Sequence, residues 1–574
     1  MDFFSPFLRK ILIVLFACVF LSVSTFTEDA IADSTASNVR KPYIRYDAKS
    51  EDGKRNLASL KKALSIMKDK KCTDPLSWYY QGAIHWVPTK GNELSGIAAK
   101  NELCPEYSNF KFDEKTLNGR YPGSDKLRAS WDNCTHANNQ AAQSSGIHFL
   151  PWHRLYLDHF EKIVRELSDD RNFSLPYWDY ISLDDDEIPK TKPLIERLTM
   201  PEEFQHSRDD SKSDNSNSLY ESGRDFNLNH GKPIDIDPHF SKIFRRQLEN
   251  DFQNIKDAQT FKDFSSLLEK GIHGKMHTYI GGGFAEYYKN KSYLPIPFNK
   301  IFNRYFQENE IPQYGLMASV ESAGFDPIFW LHHANIDRLW AQWTKKKNIH
   351  VSQQELEQVS WPYQFFETSG EAKGYTMQEV HHAVYNTDYN YDDISIPNYS
   401  DNDKSETKAS SPPKTTLGEN KTTTTIGRDK NLNLTIEVNN LYRELLKSLQ
   451  PNNGEKYTSP RLKLDVNVTY TGKPRGLYEI YLNLPKDQSE KNEIMKDENT
   501  LIDTYLVGGM TFFVLDSEIP KSKKFTFSIS DILYKQINNF SQFNPHSVSI
   551  EINQDKTRVN DRLTVDSIVI YAQN

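Results

Sequence analysis

DPIFWLHHANIDRLW, running from Asp326 to Trp340, sets two adjacent histidines inside an apolar, aromatic-rich stretch. Pro327 suits the first turn of a helix, where the amide it lacks would have no partner, and that helix is expected to run through Trp343. An imidazole buried in such surroundings needs a partner at both ring nitrogens. A metal on one nitrogen and a carboxylate or carbonyl on the other meets that need. Asn335 and Asp337 are well placed to support the imidazoles of His332 and His333 from behind.

Upstream, His273 and His277 stand four apart in HGKMH, so a helix projects both rings from one face toward one metal. The residues between them are Gly274, Lys275 and Met276, so the glutamate base of a zinc protease is absent. Further upstream lie SWDNCTH and HFLPWHRLYLDHFE, with His136, His148, His153 and His159, and before them SWYYQGAIHW with His85. The remaining histidines, such as His206, His350 and His546, lie outside these clusters and read as structural or solvated.

These segments sit in a region, residues 33–395, that reads as mainly helical. Leu57, Leu60, Leu64 and Met67 recur at helical spacing, as do Phe261, Phe264, Leu267 and Leu268. A polar stretch from Pro201 to Lys232 reads as an inserted loop. Residues 396–431 change to Thr, Ser, Lys, Asn and Pro (KASSPPKTTLGENKTTTT), a composition too poor in apolar surface to offset its ordering entropy, and read as a flexible linker. Beyond it, in residues 432–574, the period becomes two. Leu462, Leu464, Val466 and Val468 alternate with polar residues, as do Ile550 with Ile552 and Ile568 with Ile570, which predicts a small all-β sandwich or jelly-roll domain.

The whole chain, 574 residues, fits two or three domains. Its formal charge of -8 gives no case for a nucleic-acid or anionic-membrane partner. Arg9-Lys10, the apolar run Ile11 to Val23 and Ala30-Ile31-Ala32 have the layout of a secretory signal peptide over residues 1–32, which predicts a secreted or periplasmic protein. Cys18 would leave with the signal. A Cys72–Cys104 disulfide would then leave Cys134 single.

FLPWHRLYL, the HxxxH pair and DPIFWLHHANIDRLW, in this order, resemble the two copper-binding regions of the tyrosinase and polyphenol oxidase (catechol oxidase) family of type-3 copper proteins. The resemblance runs from about Arg40 to Tyr391, ending in Tyr389-Asn390-Tyr391. It implies a mainly α catalytic domain with a four-helix-bundle core around two copper ions. The first would take His85, His136 and His153; the second His273, His277 and His333, with His332 a non-ligand neighbour. Neutral imidazoles serve both oxidation states of copper.

In the family, the second ligand of the first copper usually falls where Ser144 stands here, which leaves His136 and His148 as candidates. Cys134-Thr135-His136 resembles the Cys-x-His of fungal members, whose thiol and imidazole are joined by a thioether, and this favours His136. Phe329 matches the family phenylalanine that packs on the ligand rings, and Glu269 the glutamate that holds a water near the site. Gly274 stands where efficient monophenol hydroxylases often carry Asn.

GLYEIYLNLP and TYLVGGMTFFVLD resemble the C-terminal β-domain (KFDV type) of plant-type polyphenol oxidases, which covers the active-site mouth. The implied activity is oxidation of o-diphenols to o-quinones by dioxygen. That activity would stay latent until the shield, with an aromatic side chain over the coppers, is displaced. Tyrosine hydroxylation would be weak. The alternatives are a full tyrosinase and a haemocyanin-like oxygen carrier; a single copy without a tandem array disfavours the carrier.

Overall fold

The computed structural model describes residues 41–71, 74–85, 134, 145–185, 196–207, 217–221, 224–234, 238–282, 315–318, 320, 322–358, 361–397, 413–426, 431–448, 461–472, 474, 477–497, 500–513, 520–539, 543–554 and 562–573. The expected signal peptide, Cys72, Cys104 and His136 lie outside these residues.

The helical part follows the hydrophobic spacing. Helix α1 (Glu51–Asp69) starts where the Ser50 side chain accepts the Gly53 amide, and it buries Leu57, Leu60, Leu64 and Met67. Helix α2 (Trp78–His85) is buried almost throughout and ends on His85. Helix α3 (Ser145–Ser168) packs against α1, against α5 (Phe261–Leu268) and against α7 (Ile328–Lys347), so it forms the axis of this part. Between α3 and α5 runs α4 (Pro238–Asp257). A single wide turn, Glu269–His273, leads from α5 into α6 (Gly274–Ile280). Stacked rings weld the packing: Phe160 on Trp330 and Phe264 on Trp343.

Helix α7 is fixed at both ends. The Asp326 carboxylate accepts the Ile328 amide at its start, and Asn348 ends it in the left-handed conformation (φ 53°). Buried Arg224 grips Asp326 with Nε and Nη2 at 2.6–3.1 Å. The polar stretch Pro201 to Lys232 is therefore more than an inserted loop, because its described part holds the start of the helix that carries His332 and His333.

The C-terminal part holds two antiparallel sheets, built from β1 (Lys414–Asn420), β2 (Thr424–Ile426), β3 (Leu432–Glu437), β4 (Arg461–Thr471), β5 (Tyr478–Leu482), β6 (Leu506–Met510), β7 (Lys521–Ser528), β8 (Ser547–Gln554) and β9 (Arg562–Gln573). One sheet has the order β6-β5-β8-β3; the other is β7-β4-β9-β1, with β2 also paired to β9. In the second, Leu464 lies opposite both Phe527 and Ile570. Leu462, Leu464, Val466 and Val468 share one apolar core with Ile480, Ile550, Ile552, Ile568 and Ile570. The expected flexible linker over 396–431 needs correction, because residues 414–426 already contribute β1 and β2. Threonine is β-branched and favours strands, and Leu417 and Ile426 give the stretch two anchors in the core.

The other face of β4 carries buried Lys463 and Asp465, and α4 meets this side of the β-part. Asn250 donates to Val507 O and accepts from Ser528 N; Asn254 donates to Thr526 O and accepts from Lys463 Nζ. Arg461 pairs with Asp257 at 2.8 Å. Gly509 permits the close approach of β6, since a Cβ there would lie 2.3 Å from both Gln247 Nε2 and Leu477 Cδ1. Among the described residues no helix is long and apolar enough to cross a membrane.

Candidate metal centre

Two clusters of metal-ligating side chains adjoin in the helical part. His273, His277, His332 and His333 form one, and His85, Cys134 and His153 the other; within each, one ligand atom per residue lies within 4.8 Å of all the others. All seven side chains are buried. The clusters touch through His153 and His333, whose rings lie parallel with centroids 4.3 Å apart.

Backbone carbonyls set the proton positions of three rings. His153 donates from Nδ1 to Phe149 O at 2.7 Å, His273 to Glu269 O at 3.0 Å and His277 to Met317 O at 3.0 Å. A carbonyl only accepts, so each Nδ1 bears the hydrogen and each Nε2 keeps its lone pair. Burial also pushes the His333 imidazolium well below its usual pKa, helped by His153 and His273, and pushes His332 down to about 3. Neutral imidazoles turned this way, and gathered in two adjoining groups, fit a metal ion in each.

The wide turn Glu269–His273 aims His273. It contains Gly271, with φ −90° and ψ −110°, whose Cβ would meet Asp251 Cγ at 3.0 Å. Asp251 in turn pairs with Lys275 at 2.7 Å beneath the same turn. On α3, Arg154 follows His153 and donates to Asp337, which also accepts from Arg45, Tyr389 and Tyr391. Asp337 therefore ties α3, α7 and the strand Tyr389–Tyr391 together, and among the described residues it bonds no imidazole.

The remaining candidates fall as follows. Phe329 packs on His333 (4.2 Å between centroids) and edge-on to His85 (4.9 Å), spanning both clusters. Glu269 is almost fully buried at the head of the wide turn. Cys134 brings its Sγ to 3.7 Å from His153 Nε2. His148 bonds the Tyr363 hydroxyl through Nδ1 at 2.9 Å and belongs to neither cluster among the described residues. His159 is held by Phe366 O and Tyr375 Oη. Asn335 donates to Ile181 O and accepts from Arg338 Nη1.

Three features escape sequence reasoning. His332 shares the second cluster instead of merely adjoining it; Tyr180 bonds its Nδ1 at 2.9 Å. Phe513, just beyond β6, stacks on His277 (4.1 Å, 13°) and meets His273 edge-on. A Cβ at Gly274 would lie 3.4 Å from Phe513 Cβ, so the missing side chain at 274 is part of the seat for this ring. The double Phe in GGMTFF was a visible signal, but nothing in the sequence says which ring turns outward.

Comparison with known proteins agrees with this geometry. Residues 75–346 match the family model described as the common central domain of tyrosinase. Tyrosinase HcTyr1 of Hahella sp. (strain CCB-MM4) is 28% identical over 286 residues, covering 49% of this chain and 49% of that protein. The latent form of chloroplastic polyphenol oxidase from Prunus armeniaca is 24% identical over 259 residues, covering 43% of this chain and 38% of that protein. The match thus spans about half or less of these relatives' length. In overall fold the chain is similar to latent aurone synthase (polyphenol oxidase), with TM-score 0.52, 15% identity and coverage of 93% of this chain and 90% of that one. Latent apple tyrosinase gives TM-score 0.51 at 18% identity, covering 93% and 98%. With the motifs, the clusters and the matched central domain in agreement, residues 75–346 are similar to the central domain shared by tyrosinases and polyphenol oxidases.

Proposed function

We propose that this chain is a copper-dependent oxidase that converts o-diphenols to o-quinones while dioxygen is reduced to water. The observation that carries this reading is the pair of adjoining buried clusters whose Nδ1 protons are parked on backbone carbonyls. The bound copper pair supplies the electron exchange with dioxygen that no side chain can perform. His85, His136 and His153 hold one ion, and His273, His277 and His333 the other. Cys134 is joined to His136 by a thioether; its position beside His153 supports this role for the thiol. Phe329 keeps ligand rings of both clusters in orientation, and Glu269 works through a held water to take the phenol proton.

Gly274 has no side chain to share that proton task, so diphenol oxidation dominates and monophenol hydroxylation is weak. The likeness to a protein titled tyrosinase favours the opposite ranking. Initial rates on L-tyrosine and L-DOPA discriminate: a near-absent tyrosine rate is expected, and comparable rates would overturn the preference. Catechol oxidation by copper-loaded protein tests the whole reading, and reversible oxygen binding without turnover would make the chain a carrier.

The ring of Phe513 over His277 and His273 supports latency, since a catechol cannot stack where that ring sits. The solved structures of similar fold are titled latent. Residues 1–32 act as an export signal, and Cys72 pairs with Cys104; a mature N-terminus at Asp33 and a mass shift on reduction are the expected results.

A further inference from the structure

Away from the cage, α3 borders a cleft of about 530 Å³. Its other wall is the helix Met377–Tyr385, with Lys373 and Tyr375 before it and Asp388 after it. Arg154, Asp158 and Lys162 recur every four residues along α3, so they line the cleft from one face, a different face from that of His153. The volume suits a small ligand, and so charged a lining suits a polar one.

One end of the cleft is rich in acceptors. His159 gives its Nδ1 hydrogen to Phe366 O at 3.0 Å, and burial lowers its pKa, so the ring is neutral. Its Nε2 therefore accepts the Tyr375 hydroxyl hydrogen at 2.7 Å. The Tyr375 oxygen has no second hydrogen to give, so it can offer the cleft lone pairs alone. Asp158 spends Oδ2 on Lys162 at 2.7 Å, and its Oδ1 accepts no hydrogen bond among the described residues. Asp388 meets Arg165 only at 3.7 Å, and Lys373 is paired with Glu367 at 3.5 Å. Burial raises both the Tyr375 hydroxyl and the Asp388 carboxyl, and Asp158 pushes each further the same way, so the field at this end is negative.

The opposite need lies one helical turn away. Arg154 is 2% exposed; it gives Nε to Asp337 and Nη1 to Val384 O, while Nη2 has no hydrogen-bond partner among the described residues. The Trp340 ring covers the face of this guanidinium, 3.6 Å from Cζ to the centroid, which leaves the Nη2 edge unsatisfied. A buried cationic donor without an acceptor is costly, and Arg154 lines the cleft, so an anionic group entering there meets its need.

We propose that this cleft binds a small zwitterion of the amino-acid class, with its carboxylate at Arg154 and its ammonium between Asp158, Asp388 and the Tyr375 oxygen. An ammonium and a carboxylate a few bonds apart match the single turn of α3 between Arg154 and Asp158. The site is separate from the cage, and it stands whether or not the copper reading does.

The test is calorimetric titration of the full-length, copper-loaded protein with γ-aminobutyrate, with butylamine and butanoate as single-charge controls. γ-Aminobutyrate should bind about tenfold more tightly than either control, the scale of one added charge-assisted bond. Asp158→Asn should weaken γ-aminobutyrate by about tenfold and Tyr375→Phe by about threefold. A control that binds as tightly as the zwitterion would make this a site for one charge only. No heat with γ-aminobutyrate would remove the ligand class, and unchanged affinity in Asp158→Asn would put the binding elsewhere. Each of these results overturns the proposal. If Asp158→Asn does not fold, Asp388→Asn at a half-exposed position takes its place: a loss of about threefold is expected, and unchanged affinity overturns the proposal.

Discussion

The two halves of the imidazole cage are held in different ways. The second half stands on neighbouring helical segments: His273 and His277 come from a wide turn and the helix it opens, and His332 and His333 from the middle of α7. The first half draws His85 from the last residue of α2, His153 from within α3 and Cys134 from between them. Phe329, a resident of the helical part, packs on rings of both halves, whereas Phe513 of the β-part lies on His273 and His277. The comparison teaches that building the cage and closing it are separate tasks. The described ligating side chains all come from the helical part, and the β-part acts on the second half.

Removing a ligand from one half gives the largest effect. His277→Ala should leave one copper per chain, held by the first half, and lower catechol turnover by about three orders of magnitude or more. Loss of both ions would mean that the halves are not independent. Next, His136→Ala should cost one copper while His148→Ala costs none, since His148 is already engaged by Tyr363. The reverse result would move the first half's remaining ligand from 136 to 148.

Phe513→Ala tests closure. It should raise the catechol turnover of the uncleaved chain by about tenfold, the scale of a lost ring stack and its burial. An unchanged rate would detach the β-part from the cage. The smallest effect concerns pH. Burial lowers the Lys463 amine from 10.5 to about 8, with Asp257 opposing the shift. Docking therefore expels its proton between these values, and the docked state strengthens as pH rises from about 8 to 10.5 and loses that gain as pH falls again. The urea midpoint for release of activity should rise by a few tenths of a molar between pH 8 and pH 10, and Lys463→Met should flatten the trend. A midpoint that falls over this range would refute it.

Much of this was legible in the chain. The HxxxH pair and the double histidine of α7 announced the second half, because helical periodicity turns spacing directly into direction. The alternation at Leu462, Leu464, Val466 and Val468 announced the β-part for the same reason. The start of that part was misread, since threonine-rich polarity looks like linker until a partner strand covers Leu417 and Ile426. His332 was set aside because the resemblance makes it a non-ligand neighbour, and adjacency in sequence does not show that its ring shares the second cluster. Phe513 was expected only as an unnamed aromatic, because its address depends on how two separately folded surfaces meet.

The seat of the β-part on α4 has one more consequence. Asn250 and Asn254 grip main-chain atoms at Val507, Thr526 and Ser528, so what they recognise is mostly strand backbone rather than side-chain identity. Side chains beside these main-chain contacts can change with little effect on the seat, Gly509 excepted, where any Cβ would meet Gln247. The two asparagines have no such freedom, for one exchange at either would be felt across the whole joint.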